Sequence, residues 1–331
     1  MHTAWNYRAP WWLPGGNVQT LWAALAARRH FGPQPTWQRR RWTTPDGDFI
    51  DLDFALHASA PDAPLLVLFH GLEGSSASAY AQAFADFAAA RGLAFVVPHF
   101  RGCSGELNLA PRAYHSGDFH EIDWVLRRLA AEHPQRPLLA AGVSLGGNAL
   151  LRWAGEMGAQ AAPVVRAVSA VCSPLDLAAG GHAIGRGFNR LVYTRMFLRS
   201  MVPKALQKLQ QHPGLFDREA LLAARDLYAF DNIFTAPLHG FASTEDYWAR
   251  ASAKPVLADI RVPALALNAR NDPFVPAASL PVAGAVGDHV TLWQPAQGGH
   301  VGFPAPLGAF GLPGHVRAMP EAVGTWLLQH L

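Results

Sequence analysis

The stretch Gly142-Val143-Ser144-Leu145-Gly146 decides the fold of this chain. It follows an apolar run, 137–141, and it opens a stretch of helix-forming residues, 147–153. A serine flanked in this way is typical of a sharp turn from strand to helix that projects the hydroxyl above the end of a sheet. The glycines on either side are needed because a side chain there would collide across so tight a turn. The stretch therefore predicts a nucleophilic serine, Ser144, at the carboxyl edge of a sheet.

Short apolar runs alternate with amphipathic helical stretches along most of the chain. Strands that are apolar on both faces and alternate with helices indicate a parallel sheet covered on both sides. Before them, alternating residues around the turn Pro45-Asp46-Gly47-Asp48 predict an antiparallel hairpin over 37–55. The sequence thus predicts an α/β fold with a mostly parallel central sheet. Its predicted strands are 65–69, 93–97, 137–141, 167–172, 264–267 and 290–293, and its predicted helices are 79–91, 119–131 and 319–331.

Residues 180–252 interrupt this alternation. Helical segments rich in large side chains, 191–198 and 219–227, are followed by an aromatic stretch with many turn residues, 230–248. Open α/β sheets bind their ligands at the carboxyl ends of the strands. We therefore predict that 180–252 is a helical lid, or cap, inserted over that edge. The core of the fold is then formed by 1–179 and 253–331.

The composition is that of a globular protein with a modest charge. Of its 331 residues 50% are hydrophobic and 15% are charged, and the net charge is +3. No basic run extends beyond Arg39-Arg40-Arg41, which argues against nucleic-acid binding. The loop Arg101-Gly102-Cys103-Ser104-Gly105 lacks the spacing of a phosphate-binding loop, so we expect a turn that supports the floor of the site.

Other features concern the compartment of the protein. The two cysteines, Cys103 and Cys172, form neither a disulfide framework nor a metal-ligand pattern, so we expect buried, reduced thiols. Residues 1–7 lack the basic flank and apolar core of a signal peptide. No apolar run has the length of a membrane span. These observations predict a soluble, cytoplasmic protein.

A nucleophilic serine needs a histidine as base, and the histidine needs a carboxylate to orient it. In this architecture the chain order is serine, acid, histidine. His300 lies in a glycine-rich loop after the last predicted strand, whereas His289 precedes that strand and His315 and His330 lie farther on. We therefore predict His300 as the base. His70 stands before a glycine at a strand end, and we expect it to shape its loop.

The acid and the oxyanion donors follow from the same architecture. Asp272 comes after the predicted strand 264–267 and directly before a proline. Asp176, after the preceding strand, is the alternative acid, although its position favours a helix cap. The backbone N–H of Leu145 is expected to bind the developing oxyanion, together with the N–H of Leu72 in the loop after the first parallel strand.

The chain as a whole resembles the α/β-hydrolase superfamily and, more narrowly, the AB hydrolase 4 family of YheT-like hydrolases. The resemblance implies a carboxylic ester hydrolase with Ser144, Asp272 and His300 as its triad. The chain departs from the family's pattern at 116–121, which concerns substrate contacts more than mechanism. The blocks that carry the resemblance are Pro14-Gly15-Gly16-Asn17-Val18-Gln19-Thr20, His70-Gly71-Leu72-Glu73-Gly74, His99-Phe100-Arg101-Gly102-Cys103-Ser104-Gly105-Glu106, Tyr114-His115-Ser116-Gly117, the Ser144 motif with Gly147-Asn148, Asn271-Asp272-Pro273 and Gly298-Gly299-His300-Val301-Gly302-Phe303.

These residues predict a serine carboxylic ester hydrolase that acts on short- to medium-chain acyl esters through an acyl-enzyme. The chemistry needs no metal or organic cofactor, and the expected partner is a small acyl ester, not a nucleic acid. An alcohol acyltransferase or a lipase or phospholipase with the same triad remains an alternative, while the triad disfavours a non-catalytic lipid-binding protein. The apolar lid leaves open a weak association with a membrane surface. The sequence does not indicate the oligomeric state.

Overall fold

The computed structural model describes residues 5–306 and 314–331. Residues 1–4, within the predicted core segment 1–179, and residues 307–313, within the predicted core segment 253–331, lie outside the described residues. Eight strands form a single sheet in the described part of the chain. They are β1 Trp37–Thr43, β2 Phe49–Ala55, β3 Leu65–Phe69, β4 Ala94–Pro98, β5 Leu138–Val143, β6 Ala167–Val171, β7 Ala264–Leu267 and β8 Val290–Trp293.

The sheet has the strand order β1-β2-β4-β3-β5-β6-β7-β8. β1 and β2 form an antiparallel hairpin, and β2 pairs with β4 in the antiparallel sense. All pairs from β4 to β8 are parallel. The predicted hairpin and the mostly parallel sheet are therefore confirmed. Because the parallel strands run the same way, their carboxyl ends meet at one edge.

Helices lie before, between and after these strands. The region 177–251 contains only helical segments and connecting turns, and we call it the cap segment. The helices are α1 Gly15–Leu25, α2 Ala79–Ala90, α3 Phe119–Glu132, α4 Leu145–Met157, α5 Leu177–Ile184, α6 Gly187–Asn189, α7 Arg195–Gln211, α8 Arg218–Ala223, α9 Leu227–Phe230, α10 Ala236–Leu238, α11 Thr244–Ala251 and α12 Ala318–Leu328, with π-helical turns at Arg190–Thr194 and Asp231–Thr235 and short 3-10 turns at Gly158–Ala161, Lys254–Asp259, Ala277–Ser279 and Ala283–Ala285.

Two details of the cap segment differ from the sequence-based prediction. The predicted helix 219–227 ends at Ala223, because Asp226 starts a new helix by accepting a hydrogen bond from the N–H of Ala229. The stretch 230–248, predicted as rich in turns, is mostly helical. Its polar residues cap helices instead of forming turns, as Ser243 does for α11. The division of the chain at 180 and 252 remains a prediction.

Apolar side chains cover both faces of the sheet. On one face, Ile122 and Leu126 of α3 and Trp153 of α4 belong to one buried cluster with the strands. On the other face, Phe84 of α2 and Trp326 of α12 belong to a second cluster. Burial of these large side chains is the main stabilising contribution to the fold. Among the described helices, none has the length and apolar character needed to cross a membrane.

A buried ion-pair cluster lies beside the hairpin. The guanidinium of Arg101 contacts Asp48 and Asp46 at 2.8 Å each and Glu121 at 2.6 Å. The side chains of Arg101, Asp48 and Glu121 are at most 5% exposed. The loop that begins at Arg101 is thus fixed by carboxylates and is not arranged to bind phosphate, in agreement with its expected supporting role.

Removal of the Arg101 charge would leave Asp48 and Glu121 buried without their cation. We expect Arg101→Met to lower the free energy of unfolding by about 3–5 kcal/mol. The matched control is Arg127→Met, whose exposed pair with Asp123 should contribute about 0.3–0.5 kcal/mol. Urea denaturation of both variants measures the difference. Equal losses for the two variants would contradict the importance of the buried cluster.

Candidate active site

Ser144 lies at the turn between β5 and α4, with φ 52° and ψ −118°. Residues other than glycine rarely adopt positive φ, and such strain is concentrated at functional sites. Two glycines make the turn possible. A Cβ on Gly142 would lie 2.5 Å from the carbonyl oxygen of Gly146, and a Cβ on Gly146 would lie 2.4 Å from that of His70. The N–H of Ser144 donates to the carbonyl of Val171 at 2.8 Å, which ties the turn to β6.

The side chains of His300 and Asp272 are connected to Ser144 by hydrogen bonds. The Nε2 atom of His300 lies 3.0 Å from the Oγ of Ser144, and its Nδ1 atom lies 2.8 Å from the Oδ2 of Asp272. The other carboxylate oxygen of Asp272 accepts the N–H groups of Phe274 and Val275. The structure therefore brings the three predicted residues into one hydrogen-bonded chain. This order can move a proton from the hydroxyl to an imidazole that the carboxylate stabilises.

The loop that carries His300 is held by the N-terminal helix, which our sequence analysis did not anticipate. The N–H of His300 donates to the Oγ1 of Thr20 at 2.8 Å. The buried side-chain oxygen of Gln19 accepts the N–H of Gly298 at 2.9 Å and the amide of Asn271 at 3.0 Å. Gln19 and Thr20 are thus buried polar residues of α1. That pattern within 14–20 is the signal that could have revealed them.

The two predicted oxyanion donors border the same space. The N–H groups of Leu72 and Leu145 have no hydrogen-bond acceptor among the described residues, and both residues line the cavity above Ser144. The loop of Leu72 is shaped by its neighbours, since Gly71 donates its N–H to the hydroxyl of Tyr80. His70 accepts the N–H of Phe100 on Nε2, and burial lowers the pKa of His70 to about 3. His70 is thus a neutral residue that shapes the loop, as expected.

Glu73, directly after Leu72, links this loop to the cap segment. Its backbone has φ 57°, and its carboxylate lies 2.9 Å from the ammonium of Lys204 on α7. The hydroxyl of Tyr114 donates to the Glu73 carboxylate and accepts the Glu73 N–H, each at 3.0 Å. Glu73 is therefore fixed from both its backbone and its side chain. The position of Leu72 depends on the same contacts.

A cavity of about 120 Å³ opens above Ser144. Its core side includes Ser116, from the segment that departs from the family's pattern, and its cap side is largely apolar. A second cavity of about 70 Å³ shares Leu72, Leu145 and Met201 with the first. The apolar residues of the cap segment and of its surroundings that line the first cavity are Pro174, Leu177, Ile184, Phe197, Met201, Leu227, Trp248 and Phe274.

The second cavity contains more polar groups than the first. Glu73, Lys204 and His115 line it, and Asp231 borders both cavities. Burial raises the pKa of Asp231 to about 6, although the indole N–H of Trp248 donates to its carboxylate at 2.9 Å. Both cavities are nevertheless walled mainly by apolar atoms, so a substrate that fills both would meet charged groups only at particular points of the second.

The alternative site residues lie elsewhere. Asp176 caps α5 by accepting the N–H of Ala179, as its position favoured. None of His289, His315 and His330 lines the cavity above Ser144.

Both cysteines are free and buried, as expected. The Sγ atom of Cys172 lies within 4.8 Å of ligand atoms of Asp272 and His300. Burial and the charge of Asp272 raise the pKa of the Cys172 thiol well above its ordinary value. The same Asp272 and His300 are already hydrogen-bonded to each other at 2.8 Å, so we assign them to the chain of contacts with Ser144.

Comparison with known proteins shows which proteins this chain is similar to. A family model described as the alpha/beta hydrolase fold matches residues 64–304. The Escherichia coli (strain K12) protein YheT is named as an esterase. It is 40% identical to this chain over 290 residues, which cover 87% of this chain and 84% of YheT. Phospholipase ABHD3 of mouse is 30% identical over 271 residues, or 78% of this chain and 64% of the mouse protein.

The fold is also found among solved structures. The esterase Pf2001 of Pyrococcus furiosus superposes with a TM-score of 0.53, at 15% identity, over 89% of this chain and 93% of that esterase. This chain belongs to the α/β-hydrolase superfamily and, within it, to the family of YheT-like hydrolases. It is a carboxylic ester hydrolase by class, which confirms the sequence-based interpretation at that level.

The contacts of Glu73 generate a prediction about ester hydrolysis. We expect Glu73→Gln and Lys204→Met each to lower kcat on the order of tenfold with a smaller change in KM, because a displaced Leu72 amide would stabilise the transition state less well. The double variant should lose about as much as either single variant, since both remove the same ion pair. Initial rates on a soluble ester measure all three.

The control for this cycle is Lys254→Met. Lys254 pairs with Asp176 at 3.4 Å and does not line either cavity, so its removal should leave kcat unchanged. Additive losses in the double variant, or an unchanged kcat in Glu73→Gln, would contradict the role of the ion pair.

Proposed function

We propose that this enzyme hydrolyses short- to medium-chain acyl esters by means of Ser144, His300 and Asp272. The observation that supports this proposal best is the continuous chain of contacts Ser144 Oγ–His300 Nε2 at 3.0 Å and His300 Nδ1–Asp272 Oδ2 at 2.8 Å. Asp272 is buried, and its other carboxylate oxygen accepts two backbone N–H groups, which fixes its orientation.

The reaction has two stages. His300 takes the proton of Ser144 as the hydroxyl attacks the ester carbonyl, and the N–H groups of Leu72 and Leu145 bind the oxyanion that forms. His300 then gives its proton to the leaving alcohol, which leaves an acyl group on Ser144. In the second stage His300 activates a water molecule that attacks this acyl group, and the acid is released with the serine restored.

The two cavities suggest how the ester lies in the site. We place the acyl chain in the first cavity, where Ile184, Phe197 and Phe274 surround it, and the alcohol portion toward the second cavity, which Glu73 and Lys204 border. In this arrangement 180–252 acts as the lid and 1–179 and 253–331 form the core. The phospholipase named among the relatives supports a lipid ester as an alternative substrate within the same class.

Replacement of the proposed nucleophile tests the mechanism. We expect Ser144→Ala to remove nearly all hydrolysis of p-nitrophenyl esters. Asp272→Asn should lower kcat on the order of 10⁴-fold, because the imidazole is no longer held in the correct tautomer. The control is Asp176→Asn, the alternative acid, which should keep wild-type kcat. Initial rates with acetyl to palmitoyl esters measure each variant.

A fully active Ser144→Ala, or an Asp176→Asn variant as impaired as Asp272→Asn, would contradict this mechanism. A folded wild type that releases product only when an alcohol is added would instead favour acyl transfer. The same assay distinguishes hydrolysis from acyl transfer, because chromatography separates the free acid from the ester formed with the added alcohol.

The size of the first cavity should set the preference for acyl length. Ile184 lines this cavity from α5, so Ile184→Trp should fill part of it and shift the optimum of kcat/KM to shorter acyl chains. Leu222→Trp is the matched control, since Leu222 lies in the cap segment but is 37% exposed and lines neither cavity. The same shift in both variants would argue against the assigned acyl pocket.

A further inference from the structure

One face of the cap segment combines exposed apolar side chains with arginines. Phe188, Leu191 and Met196 are 50%, 58% and 55% exposed. They lie within α6, the π-helical turn that follows it and the start of α7. Large apolar side chains that cluster on an exposed surface mark an interaction site more often than single ones do. We call this surface, together with the four arginines described next, the arginine face.

The charge of the same stretch is one-sided. Residues 177–216 contain no Asp or Glu, whereas Arg186, Arg190, Arg195 and Arg199 are all exposed. None of these four arginines forms an ion pair with another residue in 5–306 or 314–331. Other arginines, among them Arg166 and Arg261, also lack a carboxylate partner in 5–306 and 314–331, so the distinctive feature here is that four such arginines lie within the 14 residues 186–199. Unpaired cations interleaved with apolar side chains fit a surface that is both anionic and apolar.

The arginine face is next to the cavity above Ser144. Two residues of the same stretch of chain line that cavity. They are Ile184, two residues before Arg186, and Phe197, between Arg195 and Arg199. Tyr193, on the buried side of the same helical stretch, donates its hydroxyl to Asn17 of α1 at 3.0 Å. The face is therefore anchored to the core on one side and leaves its apolar side chains outward on the other.

We propose that the arginine face docks on an anionic lipid bilayer. The arginines would pair with lipid phosphates, and Phe188, Leu191 and Met196 would enter the boundary between headgroups and acyl chains. A nucleic acid would satisfy the charge but would leave the outward apolar side chains in water. An acidic protein could satisfy both, and the vesicle experiment below distinguishes it from a bilayer. This inference rests on the proposed function in one respect, since docking would bring the cavity close to esters held in the bilayer.

The test uses the full chain and phosphatidylcholine vesicles prepared with and without phosphatidylglycerol. We expect binding to the anionic vesicles, measured by co-sedimentation, that weakens as salt is added. Each arginine near such a surface strengthens binding about fivefold, so Arg190→Gln combined with Arg195→Gln should weaken it about 25-fold. Leu191→Ser combined with Met196→Ser should also weaken it, with little change in salt dependence.

The matched control is Arg166→Gln combined with Arg261→Gln. This pair lowers the net charge equally but lies at the amino ends of β6 and β7, at the edge of the sheet opposite Ser144. It should bind vesicles as the wild type does. Equal losses in the two arginine pairs would overturn the proposal, because general charge alone would then explain binding.

Absence of vesicle binding by a folded wild type would also overturn the proposal, even if an oligonucleotide or an acidic protein were bound. Hydrolysis of a soluble p-nitrophenyl ester in the same samples separates this result from a failure of the proposed function. Vesicle binding without Ser144-dependent hydrolysis would support docking and contradict the enzyme mechanism. Ser144-dependent hydrolysis without vesicle binding would support the enzyme mechanism and contradict docking.

Discussion

The strained backbone of Ser144 is the constraint on which the site depends. The turn at Ser144 packs directly against the loop that follows β3. A Cβ on Gly146 would lie only 2.5 Å from the carbonyl oxygen of Phe69 and 2.4 Å from that of His70, so only glycine fits there. Those carbonyls begin the loop that carries Leu72. The turn that exposes the serine hydroxyl and the loop that offers the N–H of Leu72 are therefore held as one unit. Rigid placement of this kind lets fixed dipoles stabilise charge without first reorganising.

The imidazole and its carboxylate depend on a second, separate set of contacts. Gln19 is fully buried, and its amide donates to the carbonyl of Leu13 while its oxygen accepts two donors from the loops of Asn271 and Gly298. A buried polar network in which every group is satisfied restricts its members to one arrangement. The histidine loop is thus located by the helix at the start of the chain, while the serine is located by the sheet.

Much of the fold and the core of the site followed from local sequence pattern. The motif around Ser144 and the apolar runs on either side predict the elbow and the parallel strands because both are decided by residues close in sequence. The chain order of acid and base restricts Asp272 and His300 to loops after later strands. The contacts of Gln19, Thr20 and Lys204 were not predicted, since each joins residues that are far apart in sequence. The helices of the cap segment were missed in part because Asp226 and Ser243 are as typical of turns as of helix caps.

The contacts between α1 and the histidine loop have a consequence for how the enzyme is made. Thr20 and His300 are 280 residues apart, and Gln19 and Gly298 are 279 apart. Contacts of such long range close a large loop of chain, and they cannot form until both partners have been synthesised. The loop of His300 must therefore leave the ribosome before the imidazole can reach its place beside Ser144. A nascent chain that already carries Ser144 lacks the base that would activate it while the next 156 residues are made, so hydrolytic activity cannot appear before His300 has been added.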